Sequence, residues 1–365
     1  MNLAYQEDIY LVFSLAPAIG PIRFQSLLKR FSTAKKAFEA EVKELTEVVG
    51  VSTAHKFVQF RETCRPEQLL KSYADKQITV ITQLSPLYPR LLLQISDPPM
   101  CLFALQKDNK PATNTDGLHI SIVGSRQHSS YGKTVTYQIA SELALAGVVI
   151  VSGLALGIDA IAHQAALDSS GATIAVLGCG VDVVYPPFNR GLRQQIIDSG
   201  NTLLSEFPPG TEPSRGSFVV RNRIVSGISR GVLITEGTDK SGSLITATNA
   251  AHQGRDVFAI PGHITSSTAQ APLILLKQGA KLVTSSEDIL SEYALNILAK
   301  KNHMPTNISP EQQKVYSILL TAPNFADEIA IQLDWSIIQV MNVLSILEID
   351  GNVVKDSDGK YRPAI

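Results

Sequence analysis

HISIVGSRQHSSYGKTVTYQIASELALAGVVIVSGLALGIDAIAH, residues 119–163, is the stretch that decides the fold. It opens with an apolar run, Ile120 to Val123, that ends in Gly124-Ser125-Arg126. Helical spacing follows over 131–146. A second apolar run, 148–151, ends in Ser152-Gly153, and Gly157 leads into another helix. Two short apolar runs, each ended by small residues and followed by a helix, predict a βαβα unit. Parallel sheets of this kind bind ligands at the carboxyl ends of their strands. Two Gly/Ser turns there, one beside an arginine, make a candidate anion site of helix-start N–H groups plus a guanidinium fork.

The rest of the chain sets limits around that unit. A length of 365 residues predicts two or three domains. The 44% hydrophobic content supports a large core. Lys+Arg total 32 and Asp+Glu 33, so a general polycationic coat is excluded and nucleic-acid binding requires a local basic patch. Cys64, Cys101 and Cys179 are odd in number and far apart, which fits neither a metal site nor a disulfide framework and suits a reducing cytoplasm. The opening MNLAYQEDIYLVF has no basic n-region, so no signal peptide is expected. The most membrane-like stretch, 143–162, holds Ser152, Asp159 and three glycines and reads as a buried strand followed by a helix, with no membrane partner.

In chain order, residues 1–75 read as a small helical domain of helix-hairpin-helix or SAM-like type, with apolar residues at helical spacing. Its turns, Ala18-Ile19-Gly20-Pro21 and Val49-Gly50-Val51-Ser52, fit either a phosphate-holding hairpin or a plain helical turn ended by glycine. Only Arg23, Lys29 and Arg30 supply charge near the first, which favours the plain turn. Residues 78–293 form the second domain. Two strand-like runs within 78–105 extend its sheet, and 106–117 is a polar loop. Further strands are expected at 119–123, 148–151, 173–177, 202–205, 231–235, 256–260 and 281–283, mostly alternating with helices. This is an α/β, doubly wound, Rossmann-like sheet. The first strand is followed by GSRQHSS and not by a dinucleotide glycine signature, so no cofactor is expected. A polar linker, 294–310, leads to a winged helix over 311–365: helices at 312–320, 326–333 and 336–348, then a hairpin turning at Asp358-Gly359. The exposed positions of the third helix, Ser336, Gln339 and Asn342, include no Arg or Lys, which favours packing or protein contacts over DNA reading.

A second constellation lies at 218–262. Arg221, Asn222 and Arg223 stand where a helix begins, with Arg215 and Phe218 just upstream. Charge for a backbone and an aromatic face for bases is what a single strand needs. With Arg126 and Arg190 these arginines make a patch that the net charge hides. The competing reading buries Phe218 in the core and ties Arg221 or Arg223 to Glu236 or Asp159. Ser241-Gly242-Ser243 opens an apolar helix as a phosphate-friendly start or an N-cap. Asp159 and His163, four apart, suit a structural hydrogen bond better than acid–base work or a metal.

GSR…YG, SGLALGIDAIAH, AVLGCGVDVVYPPFN, LLSEFPPG, F-x-x-RNRI-x-SG, SGSLITA and GR-x-VFAIPG occur in this order. In these the chain resembles the bacterial DNA-processing protein A (DprA/Smf) family, strongly over 78–293 and more loosely at both ends. The resemblance implies a cytoplasmic, non-enzymatic protein of natural transformation. Such a protein binds and protects incoming single-stranded DNA, loads the recombinase RecA, and forms a homodimer through the Rossmann-like domain. It assigns the single-strand pocket to Arg126, Arg215 and Phe218, with Gly124, Ser125, Arg221, Asn222 and Arg223 shaping it, and the small-residue turns at Gly153 and Ser243 join them as candidate phosphate cradles. Two departures stand out. The basic residue before Phe218 is Arg where the family has Lys. After Pro261-Gly262, Ala269, Ala271 and Leu273 replace the polar and flexible positions common there. The alternative is a nucleoside-monophosphate phosphoribohydrolase, whose PGGxGTxxE signature reads EGTDKSGSLITA here, without the trailing acid.

Overall fold

The computed structural model describes residues 3–107, 117–293, 308–321, 324–355 and 359–363. The chain divides into two compact units, Met1–Leu295 and Asn296–Ile365.

The first unit starts with six helices: α1 (Leu3–Leu15), α2 (Pro21–Phe31), α3 (Ala34–Glu39), α4 (Val42–Val49), α5 (Val51–Thr63) and α6 (Pro66–Asp75). They close on an aromatic cluster in which Phe13 stacks on Phe57 at 4.7 Å and Phe24 tilts against Phe13 at 4.9 Å. All three rings are buried, each worth about 1.5–3 kcal/mol. The core continues from these helices into Phe103, Ala175 and Leu203 of the sheet, so helices and sheet share one interior. Of the two turns, Gly50 ends α4 at a positive φ of 81° with ψ 156°, a conformation that favours glycine. At the other, the positive-φ residue is Ala18, whose carbonyl is held by Arg23 Nη1, while Gly20 is ordinary at φ −92°.

The sheet has nine strands: β1 (Ile78–Thr82), β2 (Cys101–Leu105), β3 (His119–Val123), β4 (Val149–Ser152), β5 (Thr173–Val176), β6 (Thr202–Ser205), β7 (Gly231–Ile234), β8 (Asp256–Ala259) and β9 (Lys281–Leu282). Their order is β1-β2-β6-β5-β4-β3-β7-β8-β9. β1–β2 and β2–β6 pair antiparallel, and every other pair is parallel. The connecting helices are α7 (Ser130–Leu145), α8 (Ile158–Asp168), α9 (Arg190–Asp198), α10 (Arg215–Gly227), α11 (Gly242–His252), α12 (Gln270–Lys277) and α13 (Ser286–Leu290). β3 to β7 are buried at every position, which is why they read as unbroken apolar runs and not as alternation. The expected run at 148–151 moves to Val149–Ser152 because Val148 belongs to the helix end before it. Gly147 turns left-handed at φ 85°, and Val148 N–H bonds the Leu143 carbonyl.

The chain builds β3, β4, β5 and β6 outward, then returns through α10 to lay β7 on the other side of β3. The strand order reverses between β3 and β7, and a crevice opens at their carboxyl ends.

In the second unit, α14 (Pro310–Thr321), α15 (Ala326–Leu333) and α16 (Ile337–Ile349) precede a hairpin, β10 (Val353–Lys355) with β11 (Tyr361–Pro363). Val315, Leu319, Ile329, Val340, Leu344 and Leu347 form its core. This is the expected winged-helix order. Residues 294–307 of the expected linker and Asp358 of the expected turn lie outside the described residues. On α16, Ile338 and Ile349 face solvent at 70% and 85% exposure beside exposed Asn342, and the helix carries no Arg or Lys.

Candidate nucleic-acid interface

Four strand ends converge at the crevice. After β3 comes Gly124-Ser125-Arg126. The Ser125 carbonyl accepts the N–H of Ile158, the first residue of α8, and this needs glycine at 157. Gly157 has φ 81°, and a Cβ there would lie 2.3 Å from that same carbonyl oxygen. Ser125 Oγ donates to the Gln127 carbonyl at 2.7 Å, which fixes the turn and leaves Arg126 in solvent.

α10 supplies the opposite wall. Ser214 caps it by accepting the Ser217 N–H at 3.1 Å, so the positive end of this helix opens beside the β5 strand end. Ser217 Oγ donates to the Gly178 carbonyl and pins that contact. Arg215, in the first turn, is exposed. Phe218 is half-buried, and its ring has two partners: Arg126 Cζ at 5.8 Å from the centroid and the Tyr185 ring at 5.3 Å, tilted 31°. Neither Arg126 nor Arg215 has a carboxylate partner among the described residues.

Arg221 lies beneath. It is buried, with Nη1 donating to the carbonyls of Gly153 (2.7 Å) and Val176 and Nε donating to Asn222 Oδ1 (3.2 Å). Asp159, also buried, accepts the Gly153 N–H at 3.1 Å. Burial pushes the Asp159 carboxyl up and the Arg221 guanidinium down, and each opposes the other's shift. Arg221 ties the β4 and β5 ends to α10, and Asp159 offsets its charge from the same buried layer.

Gly124, Ser125, Arg126, Arg215, Phe218, Arg221, Asn222 and Ser243 all line one cleft of about 480 Å³. Gly153 lines an adjoining recess shared with Arg126, Phe218 and Arg221. Ser243 is buried, and its N–H donates to the Ser241 hydroxyl that starts α11, so the N-cap reading fits.

Three sequence expectations are corrected. Arg223 does not reach the cleft. Two residues beyond Arg221 it points off another side of α10, where Nε meets Asp97 at 2.8 Å and Nη2 meets Glu206 at 2.7 Å. Its acids are therefore not Glu236 or Asp159. Glu236 is occupied by Ser129, through N–H and hydroxyl, and by the Thr268 hydroxyl. Arg190 starts α9 and is not among the cleft-lining residues. His163 and Asp159 are bonded separately, since His163 Nδ1 meets Thr173 Oγ1 at 2.7 Å. The substituted loop is packed shut: Ala269 and Ala271 are buried, and the Ala271 N–H bonds the Gly237 carbonyl.

Sequence reasoning missed Tyr185. The available signal was an aromatic followed by two prolines, in a loop after a strand that ends in Gly178-Cys179-Gly180. Burial pushes the Cys179 thiol up to about 11, so the recess holds no thiolate nucleophile at neutral pH. Among the described residues no cluster of His, Cys, Asp or Glu is placed to hold a metal, and no single helix is long and apolar enough to cross a membrane.

Unpaired guanidiniums, a capped helix start and a half-buried aromatic stack together can hold phosphates and bases at once. Comparison with known proteins gives the family. The family model described as DNA recombination-mediator protein A matches residues 79–294, and a DprA winged helix domain model matches 299–359. Protein Smf of Synechocystis is 38% identical over 292 residues, 79% of this chain and 73% of that protein. DNA processing protein DprA of Bacillus subtilis is 43% identical over 225 residues, 62% of this chain and 74% of that one. The X-ray structure of DNA processing protein A from Streptococcus pneumoniae superposes with a TM-score of 0.68 at 33% identity, covering 78% of this chain and 97% of that one. The Helicobacter pylori structure, described as showing a single-stranded DNA binding mode, superposes at 0.52 and 31% identity over 60% of this chain and 96% of its own. The chain belongs to the DNA recombination-mediator protein A family.

Proposed function

We propose that the cleft binds single-stranded DNA without catalysis, as the DNA-holding step of recombination during natural transformation. The observation that carries this is the stack of Arg126, Phe218 and Tyr185 beside unpaired Arg215 at a helix start. A duplex hides its base faces, whereas a single strand offers them to such a stack. The Helicobacter pylori relative, described by its single-stranded DNA binding mode, supports the choice of ligand. RecA loading and homodimer formation through the sheet-bearing unit belong to the same proposal and rest on the family resemblance.

The phosphoribohydrolase reading loses support from two residues. Counting from Gly237-Thr238, the acid of that signature falls at Ser241, which caps α11. Glu236, the acid just before Gly237, has both oxygens engaged by Ser129 and Thr268.

The test is fluorescence anisotropy with single- and double-stranded oligonucleotides of equal length. Arg126→Ala and Arg215→Ala are each expected to lower single-strand affinity by about tenfold or more, the size of a lost charged hydrogen bond. Unchanged affinity in both variants, or equal affinity for duplex, overturns the proposal.

A further inference from the structure

Phe188 is exposed by 89%, the highest value among the large apolar side chains described. An exposed aromatic is ordinarily a mobile one, but this one is clamped. Pro186 and Pro187 fix φ on its N-terminal side. On its other side Asn189 is buried: its N–H bonds the Pro186 carbonyl at 3.0 Å, and its Nδ2 donates to the carbonyls of Leu154 (3.0 Å) and Ala155 (3.1 Å). Leu154 and Ala155 wall the recess beside the cleft. The ring is therefore held out into water on a backbone that is itself anchored to the site, so little backbone entropy remains to be lost when something covers it.

Two neighbours say what covers it. Tyr185, three residues earlier, lines the cleft and packs on Phe218. Three residues span at most about 10 Å, so Phe188 is within reach of a strand leaving that stack. Two residues later Arg190 is exposed, with no carboxylate partner among the described residues, and the stretch 183–197 contains no acidic residue. An aromatic face beside an unpaired guanidinium is the pairing that suits a nucleotide, base on ring and phosphate on cation.

We infer that Phe188 and Arg190 form a second stacking step, outside the cleft, for the next base of a bound single strand. This rests on the single-strand reading of the cleft and extends it from one grip to two.

The chain has one tryptophan, Trp335. In full-length protein carrying Trp335→Phe, the substitution Phe188→Trp makes position 188 the sole indole. Adding a long oligothymidylate is expected to quench its fluorescence, while an abasic strand of equal length leaves it unchanged. In the natural background Phe188→Ala is expected to lower affinity for the long oligonucleotide about tenfold, the loss of one stacked base, and to leave trinucleotide affinity unchanged. Arg126→Ala runs in parallel and is expected to weaken both lengths. No quenching, equal quenching by the abasic strand, or unchanged long-strand affinity in Phe188→Ala overturns the second step. In each of those cases a persisting Arg126→Ala defect shows that the cleft itself stands. Sedimentation of Phe188→Ala covers the remaining occupant: lower mass with no DNA-dependent quenching assigns the ring to a second copy of the chain and likewise overturns the inference.

Discussion

Arg221 and Arg223 stand two apart on one helix and do different work. Arg221 underlies the cleft, whereas Arg223 is a structural cation between Asp97 and Glu206. Removing Arg223 strands two acids, one of them in a buried setting that pushes the Glu206 carboxyl up against the guanidinium's pull. Arg223→Ala is therefore expected to cost about 3–5 kcal/mol of stability, read by urea unfolding, with single-strand affinity unchanged in the folded fraction. His163 offers a second test. Complete burial pushes its imidazole down to about 3, from 6.5 in the open chain. The unfolded chain thus takes up a proton below pH 6.5 that the folded chain refuses. Stability from this group is fully present above pH 6.5 and falls as pH drops towards 3, by up to about 1.4 kcal/mol per pH unit. His163→Gln is expected to lose less stability than the natural protein between pH 7 and 5. The raised carboxyls of Asp159 and Glu206 act in the opposite sense in both proteins and cancel in the difference.

At the scale of elements, the site depends on how closely α10 approaches the β5 end. A Cβ at Gly178 would lie 2.6 Å from Phe218 Cδ1, so the ring rests directly on that glycine. Gly178→Ala is expected to push Phe218 out of its stack, costing about 1–3 kcal/mol in melting and weakening single-strand binding while every arginine stays in place. Anisotropy and a thermal melt together check it. The strands and helices around this contact were legible in sequence because buried parallel strands are written as continuous apolar runs, and glycine turns mark their ends. Arg126 was legible for a similar reason, since it stands at a strand's end, whereas the helix start expected at Arg221 lies at Arg215, which puts Arg215 and Phe218 in the first turns of α10 and Arg221 to Arg223 in its middle. Tyr185 and the fate of Arg223 were not legible. Both depend on which segments lie opposite in space: Phe218 for Tyr185, and Asp97 and Glu206 for Arg223, 126 and 17 residues away. A helix periodicity says which way a side chain leaves the helix, but not what meets it.

For the whole molecule, the sheet-bearing unit holds the cleft by itself, and the winged-helix unit presents a third helix that is partly apolar and carries no Arg or Lys. A chain ending at residue 295 is expected to keep single-strand affinity within about threefold and the same slope of log affinity against log salt, because the phosphate-neutralising cations remain. A shallower slope assigns phosphate contacts to residues 296–365.

Arg221 has one further consequence, for how such a chain can change over generations. Its guanidinium closes the β4 and β5 ends onto α10 and also floors the cleft. A lineage that alters it forfeits folding and grip in a single step, so selection sees the two losses as one. Arg126, Arg215 and Phe188 hang free of that joint, and each can be exchanged without loosening the sheet. On the proposed single-strand reading, adaptation to a different strand composition or salt regime acts first through these three positions, where a change leaves the joint at Arg221 intact.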